Sequence, residues 1–290
     1  MAAFAASLSE HPIPSAATGE AVGQVLDQLG DGPVDLALLF ASASHSGAFE
    51  DICDAVRRLL RPGTFLGSTA VGVIGGAREV EARPGLSIFA ARLAGASVRP
   101  LRLGAISGSD GPVFHGLPAR AGGALLVLTD PFSFPADVFL DHVDRQLPGT
   151  TVIGGLASAA RGPGGNRLAL DDQIVSEGAV GVHLEGAIEV STVVSQGCRP
   201  IGQAYVVTRS ERNVVYELGG MAAFERLREL ASDASEEDRE LMRAGLHLGC
   251  VVDEHRLDFN RGDFLVRGVI GADPATGAIA VGELVPVGRT

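Results

Sequence analysis

An apolar strand, an amphipathic helix and a second strand follow one another early in the chain. Residues 35–41 (DLALLFA) form a continuous apolar run, and the residues after it place apolar side chains at the spacing of one helix face. That face comprises Phe49, Ile52, Cys53, Val56, Leu59 and Leu60. Pro62-Gly63 ends the predicted helix, and residues 64–67 begin the next strand. A helix that links two strands in this way predicts a parallel pair.

The same order of elements recurs 86 residues further along, where Pro148-Gly149-Thr150 repeats Pro62-Gly63-Thr64. Residues 124–129 (ALLVLT) are the second apolar strand. The inner face of the helix that follows is predicted to hold Phe139, Leu140, Val143 and Leu147. A Gly-rich turn and a further apolar strand come after each copy. The duplication predicts an α/β fold in which strand–helix–strand units form two lobes of layered mixed sheet and helices.

Three segments of the chain differ in their patterns. Residues 1–32 are interpreted as a loose lead-in followed by a helix, and residues 33–220 hold the duplication, with copies over roughly 33–120 and 121–220. Residues 221–290 combine short strands with two helices, the second of which opens on the capping-box pattern Ser235-Glu236-Glu237-Asp238. This last segment is predicted to be a smaller α+β part.

The charged residues exclude several classes of binding partner and of catalytic site. The 290 residues include 23 basic and 35 acidic side chains, which gives a formal net charge of −12, and all 23 are arginine. A surplus of acid without basic blocks argues against binding to nucleic acid or to an anionic membrane, since both require a positive surface. The absence of lysine excludes Schiff-base catalysis and a Walker-type phosphate site. Cationic recognition must therefore come from arginine, which favours bidentate contacts with a carboxylate or phosphate.

Signals for a cellular compartment point to the cytoplasm. The three cysteines are far apart in the sequence, which is typical of a reducing environment rather than of a disulfide-stabilised secreted domain. Residues 1–10 carry no positive side chain, so a signal peptide is not expected. No run of about 18 apolar residues occurs, and no transmembrane helix is predicted.

Four groups of motifs together resemble the FIST family, a sensory module whose parts are called FIST N and FIST C. The motifs are residues 67–69 (GST) with 72–76 (GVIGG), 154–158 (GGLAS) with 162–167 (GPGGNR), 195–202 (SQGCRPIG), and 262–267 (GDFLVR). The resemblance covers residues 33–290 and implies sensing of small ligands, amino acids among them, as the input to bacterial signalling. It also implies FIST N for residues 33–220 and a partial FIST C for 221–290, because related chains continue past the position of Thr290.

The family resemblance and the spacing of possible ligand residues both bear on whether the protein binds a cofactor. One subset of the family binds haem and senses nitric oxide, and a haem site would need an axial ligand in an apolar pocket. The histidines available for that role are His45, His115, His142 and His183. No metal site is expected, because His247 and Cys250 on a strand would face opposite sides of it. The expectation is no cofactor, with haem kept as an alternative.

The loop after the second apolar strand is a candidate binding site. Residues 130–135 (DPFSFP) lie between the carboxyl end of a strand and the amino end of a helix, where open α/β sheets bind ligands and free N–H groups attract anions. Asp130 is expected to receive a ligand amine, with Ser133 beside it. The alternative is that both residues only cap the helix. The corresponding loop of the first copy, residues 42–46 (SASHS), is small and polar.

The Gly-rich segment 161–167 (RGPGGNR) is a second candidate. It has neither the order of a dinucleotide fingerprint nor that of a P-loop. Its glycines allow the backbone to approach a ligand closely, with Asn166 in the lining and Arg161 or Arg167 as a clamp for a carboxylate. A hairpin turn with solvated arginines is the alternative.

Residues 195–200 (SQGCRP) carry the most reactive groups. Ser195 and Gln196 offer hydrogen bonds, and Cys198, next to Arg199 in the sequence, is a candidate nucleophile. The segment is not a nucleophile elbow, and no histidine can be placed beside Cys198 from the sequence. Three interpretations stay open: a turn that lines a pocket, a structural turn, and a catalytic thiol.

Residues 261–267 (RGDFLVR) join a polar turn to an apolar strand. The resemblance makes Arg261, Asp263 and Arg267 candidates for contact with a ligand or between lobes, with Arg267 a second possible carboxylate partner. A buried ion pair is the structural alternative.

These observations favour a cytosolic, non-catalytic protein that binds a small polar molecule such as an amino acid and passes the signal to a partner protein. Three other functions remain as alternatives: a haem-dependent gas sensor, an enzyme with Cys198 as nucleophile, and a protein-interaction module.

Overall fold

The computed structural model describes residues 2–30, 32–109, 111–192, 198, 200–251 and 264–290. The chain divides into two compact units, a first of residues 1–192 and a second of residues 193–290. Ser195, Gln196, Arg261 and Asp263 lie outside the described residues. Among the described helices, none combines the length and the apolarity that crossing a membrane requires.

Besides a short 3₁₀ helix at Ala43–Ala48, the first unit contains three α-helices and thirteen strands among its described residues. In chain order these are β1 (Ala3–Ser9), α1 (Pro14–Leu29), β2 (Val34–Ser42), α2 (Phe49–Leu60), β3 (Pro62–Ala70), β4 (Gly72–Gly75), β5 (Arg78–Glu81), β6 (Leu86–Arg92), β7 (Ala96–Gly108), β8 (Gly111–His115), β9 (Ala124–Thr129), α3 (Ala136–Gln146), β10 (Thr151–Leu156), β11 (Leu168–Leu170), β12 (Gln173–Val175) and β13 (Ala179–Gly186).

Two larger sheets repeat one arrangement of strands, which confirms the predicted duplication. The first sheet has the order β1-β6-β2-β3-β11-β12, and the second has the order β10-β9-β13-β7-β8. In each, the two strands joined by a helix are parallel, β2 with β3 and β9 with β10. In each, a later strand adds antiparallel on the other side, β6 on β2 and β13 on β9. The fold is therefore α/β with mixed sheets, as the sequence pattern predicts.

The two copies differ at one edge of the sheet. The β11–β12 hairpin belongs to the second copy in sequence but pairs with the first sheet, where β11 runs antiparallel to β3. The corresponding hairpin of the first copy, β4–β5, forms a separate two-stranded sheet. As a result, β3 has a strand on both sides, whereas β10 has β9 on one side alone among the described strands.

Alternation along β2 shows how the layers pack. Leu36 and Leu38 belong to a core shared with residues of the second sheet, whereas Ala37 and Leu39 belong to a core shared with α1 and α2. A third core lies where α3 covers the second sheet. Since side chains of a strand alternate between faces, one buried strand can serve two layers. The first unit is thus helices, sheet, sheet and helix in succession, with an apolar core between the sheets.

Two leucines that the pattern places on buried helix faces are exposed. Leu59 of α2 is 55 % exposed and Leu140 of α3 is 47 % exposed. At 3.6 residues per turn, Leu59 points about 80° away from Phe49 and Leu140 about 100° away from Phe139, so both lie outside the buried arc. The prediction that they face inward was wrong.

Residues 3–9, assigned to a loose lead-in from the sequence, form the strand β1, which pairs antiparallel with β6. Their sequence (AFAASLS) carries few large apolar side chains, so the alternation is weak.

The second unit is a sheet with two helices. Its elements are β14 (Val207–Glu211), β15 (Val214–Leu218), β16 (Met221–Ala222), α4 (Ala223–Asp233), α5 (Glu236–Ala244), β17 (His247–Val251), β18 (Phe264–Asp273) and β19 (Ala278–Val281). The main strands follow the order β14-β15-β19-β18-β17. At the start of α5 the Ser235 hydroxyl oxygen accepts the N–H of Asp238 at 3.1 Å, which confirms the predicted cap.

Candidate functional site

The carboxyl ends of β3 and β10 meet through Thr69. Its N–H donates to the carbonyl oxygen of Arg167 at 3.0 Å, and its hydroxyl oxygen accepts the Arg167 N–H at 3.0 Å. The carbonyl oxygen of Thr69 accepts the N–H of Ser158 at 3.2 Å, and the Ser158 hydroxyl oxygen accepts the N–H of Val71 at 3.0 Å. Thr69 is fully buried, so these bonds replace the water that its polar atoms would otherwise require. Three of the motifs quoted above therefore converge at one place.

Asp130 lies at the adjacent carboxyl end of β9, and its carboxylate is fully buried. Oδ2 accepts the hydroxyl of Ser133 at 2.7 Å and the N–H of Phe132 at 3.2 Å. Oδ1 accepts Nδ2 of Asn166 at 2.9 Å. A buried carboxylate costs free energy unless donors surround it, and here three donors do so.

Asn166 connects Asp130 to the Gly-rich segment. Besides its bond to Asp130, its Nδ2 donates to the carbonyl oxygen of Ala157 at 3.3 Å, and its Oδ1 accepts the N–H of Ala160 at 2.9 Å. The side chain is fully buried, and each end of the amide is engaged. Asn166 therefore fixes the position of the loop that connects β10 to β11.

Ser133 connects the same network to the start of β13. The Ser133 hydroxyl oxygen accepts the N–H of Gly178 at 2.9 Å, and the N–H of Asp130 donates to the Gly178 carbonyl oxygen at 2.9 Å. The first copy has an equivalent pair of hydrogen bonds, in which a single residue replaces Asp130 and Ser133. There Ser42 donates its N–H to the Gly85 carbonyl oxygen at 2.8 Å, and its hydroxyl oxygen accepts the Gly85 N–H at 2.9 Å.

The loop of the first copy differs in chemistry from that of the second. Its one aromatic side chain, His45, is buried against the fold, and burial lowers the pKa of the imidazole below its ordinary value. The side chain at this position is therefore neutral near pH 7. The first-copy loop presents no charged group here, whereas the second-copy loop encloses the Asp130 carboxylate.

An open groove of about 320 Å³ lies beside Ser133. It runs between the loop after β9 and the end of the β7–β8 hairpin. Its lining consists of Ala105, Ile106, Ser107, Gly108, Gly111, Pro112, Ser133 and Pro135. Pro135 immediately precedes the first turn of α3, and no side chain caps that helix end. The groove therefore has two hydroxyls, an uncapped helix N-terminus and apolar side chains around it.

The structure brings three of the sequence-predicted residues together and leaves others apart. Asp130, Ser133 and Asn166 form the connected network described above. Arg161 is exposed on the Gly-rich loop and has no hydrogen bond or ion pair with another residue in the described part of the chain. Arg167 donates to the carbonyl oxygens of Gly164 and Asn166, each at 2.8 Å. Its guanidinium therefore closes the loop on itself.

In the second unit, Arg267 pairs with a residue that the sequence did not suggest. Its Nε lies 2.6 Å from Oε2 of Glu283, and both side chains are about two-fifths exposed. The pair is therefore on the surface rather than buried, where such a pair contributes little stability. Cys198 is partly exposed.

Sequence reasoning missed Thr69, Ser158 and the β7–β8 hairpin as parts of this site. Thr69 and Ser158 stood in motifs that carried the family resemblance, but their short side chains suggested no chemistry. The hairpin had a usable signal, since residues 108–111 (GSDG) contain the Asp-Gly pair typical of tight turns.

Two of the four histidines considered as haem ligands have partners within the protein itself. No group of three or more His, Cys, Asp or Glu side chains suitable for an ion occurs within them. His183 is buried in the second sheet, where a ring nitrogen lies 2.8 Å from the Gly122 carbonyl oxygen. His142 packs against the ring of Phe114 with centroids 5.2 Å apart. These two histidines are thus engaged with the protein itself.

The three cysteines, all of which lie in the described part of the chain, form no disulfide, and they differ in accessibility. Cys53 is buried in the core beneath α2, and burial raises the pKa of its thiol. We therefore expect a thiol-directed reagent such as iodoacetamide to leave Cys53 unmodified in the folded protein and to modify it after unfolding. Peptide-level mass spectrometry measures this directly. Rapid native labelling of Cys53 would contradict the placement of α2, and selective labelling of Cys198 would support a catalytic thiol.

The fold defines a class of protein: a duplicated α/β module of two stacked sheets, with polar motifs gathered at the carboxyl ends of parallel strands. Residues 35–221 match the FIST N domain family, and the match covers more than half of the chain. The chain therefore belongs to the FIST family, whose domains are small-ligand sensory domains. The match ends within the second unit.

Curated relatives are similar over nearly the full length of the chain. The uncharacterized protein Rv0628c of Mycobacterium tuberculosis is 40 % identical over 285 residues, which are 98 % of this chain and 74 % of the relative. The uncharacterized protein Mb0898c of Mycobacterium bovis is 38 % identical over 273 residues, 93 % of this chain and 70 % of the relative. Both similarities extend beyond the part that matches the FIST N domain.

Proposed function

We propose that this protein is a FIST sensor that binds a small polar molecule, without transforming it, in the groove beside Ser133. The observation that supports this site is the chain of buried hydrogen bonds that runs from Asn166 through Asp130 to Ser133, which itself lines the groove. Such a chain couples the floor of the groove to the Gly-rich loop. A ligand that displaced Ser133 would act on the position of that loop.

The lining of the groove suggests the chemistry of the ligand. The Ser107 hydroxyl can donate or accept, the Ser133 hydroxyl oxygen can accept, and the free N–H groups at the start of α3 favour an oxygen with negative character. Ile106 and Pro112 supply apolar contacts. A small molecule with a carboxylate or carbonyl at one end and a modest apolar body fits this lining, and amino acids are one such class.

Asp130 and Arg161 have different roles in the proposal. Asp130 is enclosed by protein donors, so we assign it the task of holding Ser133 rather than touching the ligand. Arg161 is exposed on the loop that the network positions, and it is available to a carboxylate once the loop moves. We further propose that the protein acts in the cytoplasm and that a partner protein reads the position of the loop.

Ligand screening by thermal shift tests the proposal. Amino acids and other small polar metabolites are added at concentrations up to the millimolar range. A ligand at about 100 times its Kd stabilises the folded state by about 2.7 kcal/mol, which corresponds to a rise in melting temperature of roughly 5–10 °C for a unit of this size.

A matched pair of variants locates the site of any ligand found. Ile106 lines the groove and Ile74 lies on β4, and both side chains are more than half exposed. We expect Ile106→Asp to abolish the thermal shift and Ile74→Asp to preserve it. A shift that survives Ile106→Asp would place the ligand elsewhere, and the absence of a shift across the whole screen would remove the support for a metabolite sensor.

A further inference from the structure

Exposed sheet edges are normally protected against pairing with another chain, and three edges of the first unit show such protection. The edge of β1 is blocked by two glutamines of α1. Gln28 Nε2 donates to the Ala6 carbonyl oxygen at 2.9 Å, and its Oε1 accepts the Ala6 N–H at 3.2 Å. Gln24 binds both backbone groups of Leu8 in the same way, at 3.3 and 3.2 Å. The two side chains take the place of a neighbouring strand.

Two other edges are protected by length and by proline. The edge strand β12 has three residues, which is too short to template a long ladder. The edge strand β8 contains Pro112, which has no N–H to offer. These devices are among those that soluble proteins use to prevent pairing between sheets.

The edge of β10 has none of these protections. Its sequence (TVIGGL) contains no charge and no proline, and Leu156 at its end is 55 % exposed. Thr151 donates its N–H to the Gly123 carbonyl oxygen on the β9 side, and Ala157 donates its N–H to that of Thr129. Because N–H directions alternate along a strand, the N–H groups of Val152, Gly154 and Leu156 point away from β9. Among the described strands, β10 pairs with β9 alone.

The internal duplication indicates what such an edge accepts. The equivalent strand of the first copy, β3, is paired with the antiparallel strand β11, in the register Leu168 with Ser68 and Leu170 with Leu66. At the equivalent position, no described strand pairs with β10. By analogy with β3, an antiparallel strand is therefore the partner expected at this edge.

We propose that a second copy of this chain supplies that strand, so that two β10 strands pair antiparallel across a twofold axis. A strand that pairs with its own copy about a twofold axis is antiparallel by symmetry. With the axis at Gly154, that residue faces Gly154 of the partner subunit, and the N–H groups that point away from β9 meet outward-pointing carbonyl groups. Ile153 faces Gly155 of the partner subunit, and Val152 faces Leu156 of the partner subunit.

Charge does not oppose a second copy within this strand. The chain carries a formal net charge of −12, so most of its surface repels another copy. The six residues of β10 are all uncharged, so pairing here brings no like charges together within the strand. The result joins two five-stranded sheets into one continuous sheet.

The molar mass in solution tests this pairing. By light scattering after size exclusion, we expect the wild-type full chain to give twice 29.8 kDa. Leu156→Glu places a charge in the paired edge and should weaken dimerisation by about tenfold or more. Leu59→Glu is the matched control, since Leu59 on α2 is equally exposed, at 55 %, and it should remain dimeric. A wild-type protein of 29.8 kDa at all concentrations, or a dimer that Leu156→Glu leaves intact, would overturn the proposal.

Hydrogen exchange on the wild-type protein gives an independent readout that does not depend on how a variant folds. In the dimer, the amides of Val152, Gly154 and Leu156 should be protected as strongly as those bonded to β9, and protection should fall on dilution. Rapid exchange of these three amides in a dimer would show that another surface holds the copies together. Protection in a monomer would show that a segment of the same chain covers the edge, and either result would refute the pairing.

Discussion

Replacing Asp130 by alanine is expected to lower the free energy of unfolding of the first unit by about 3 kcal/mol or more. The carboxylate is fully buried and accepts the Ser133 hydroxyl, the Phe132 N–H and Nδ2 of Asn166. The alanine variant removes the acceptor shared by these three groups, and any donor that stays buried without an acceptor costs about 1–3 kcal/mol. The change also leaves a cavity. Denaturant unfolding followed by circular dichroism measures the loss as a lower midpoint at constant slope.

Two further variants separate the network from the mere loss of a charge. Asp130→Asn keeps the shape and one acceptor oxygen, so we expect it to be intermediate. Asp141→Ala removes an exposed aspartate from α3 and should change the free energy of unfolding by less than about 0.5 kcal/mol. If Asp130→Ala were as stable as Asp141→Ala, the buried network would contribute nothing to the fold.

Gly154→Ala is expected to be of similar severity, at about 3 kcal/mol or more, because its cost has two sources. Gly154 has a φ of 149°, which side chains rarely adopt. A Cβ at this position would also stand 1.8 Å from the carbonyl oxygen of Val127 on β9, and backbone cannot move aside as a side chain can. We expect low soluble yield or a lowered melting temperature, measured by the same unfolding experiment.

The next residue of the motif provides the control. An added Cβ at Gly155 meets no atom within 4 Å, so Gly155→Ala should retain the stability of the wild type within about 0.5 kcal/mol. Equal tolerance at both positions would contradict the close approach of β10 to β9. The family motif at residues 154–158 would then need a different explanation from strand packing.

The sequence pattern was sufficient for the elements and their repetition. The continuous apolar runs before α2 and α3 became the parallel-paired strands β2 and β9, and the repeated Pro-Gly-Thr marks the start of β3 and the approach to β10. These features depend on side chains within a few residues of one another, so the sequence carries the information directly. The cap at Ser235 was predictable for the same reason.

The pairing of distant segments was not predictable in this way. That β11 leaves its own copy to pair with β3 depends on which of two similar edges buries Leu168 and Leu170 better, and no local pattern encodes this choice. Likewise, Asp130 and Asn166 are 36 residues apart in the sequence. Taken separately, each is typical of a helix cap or a turn. Only their contact reveals one buried network.

The two exposed leucines show that the apolar spacing does not give the width of a buried helix face. Leu59 and Leu140 satisfy the apolar spacing, yet both fall at the margin of the helix face and lie in solvent. A count of apolar positions gives the direction of a buried face but not its width, since the width depends on what packs against the helix.

In the proposed function, ligand binding at the groove acts on the Asp130 network. Amide chemical-shift mapping of the full chain, with the ligand that gives the largest thermal shift, tests it directly. We expect shifts at Ile106, Gly108 and Ser133 that extend through Asn166 to the Gly-rich loop. Shifts confined to the second unit, or to residues 42–46 of the first copy, would contradict it.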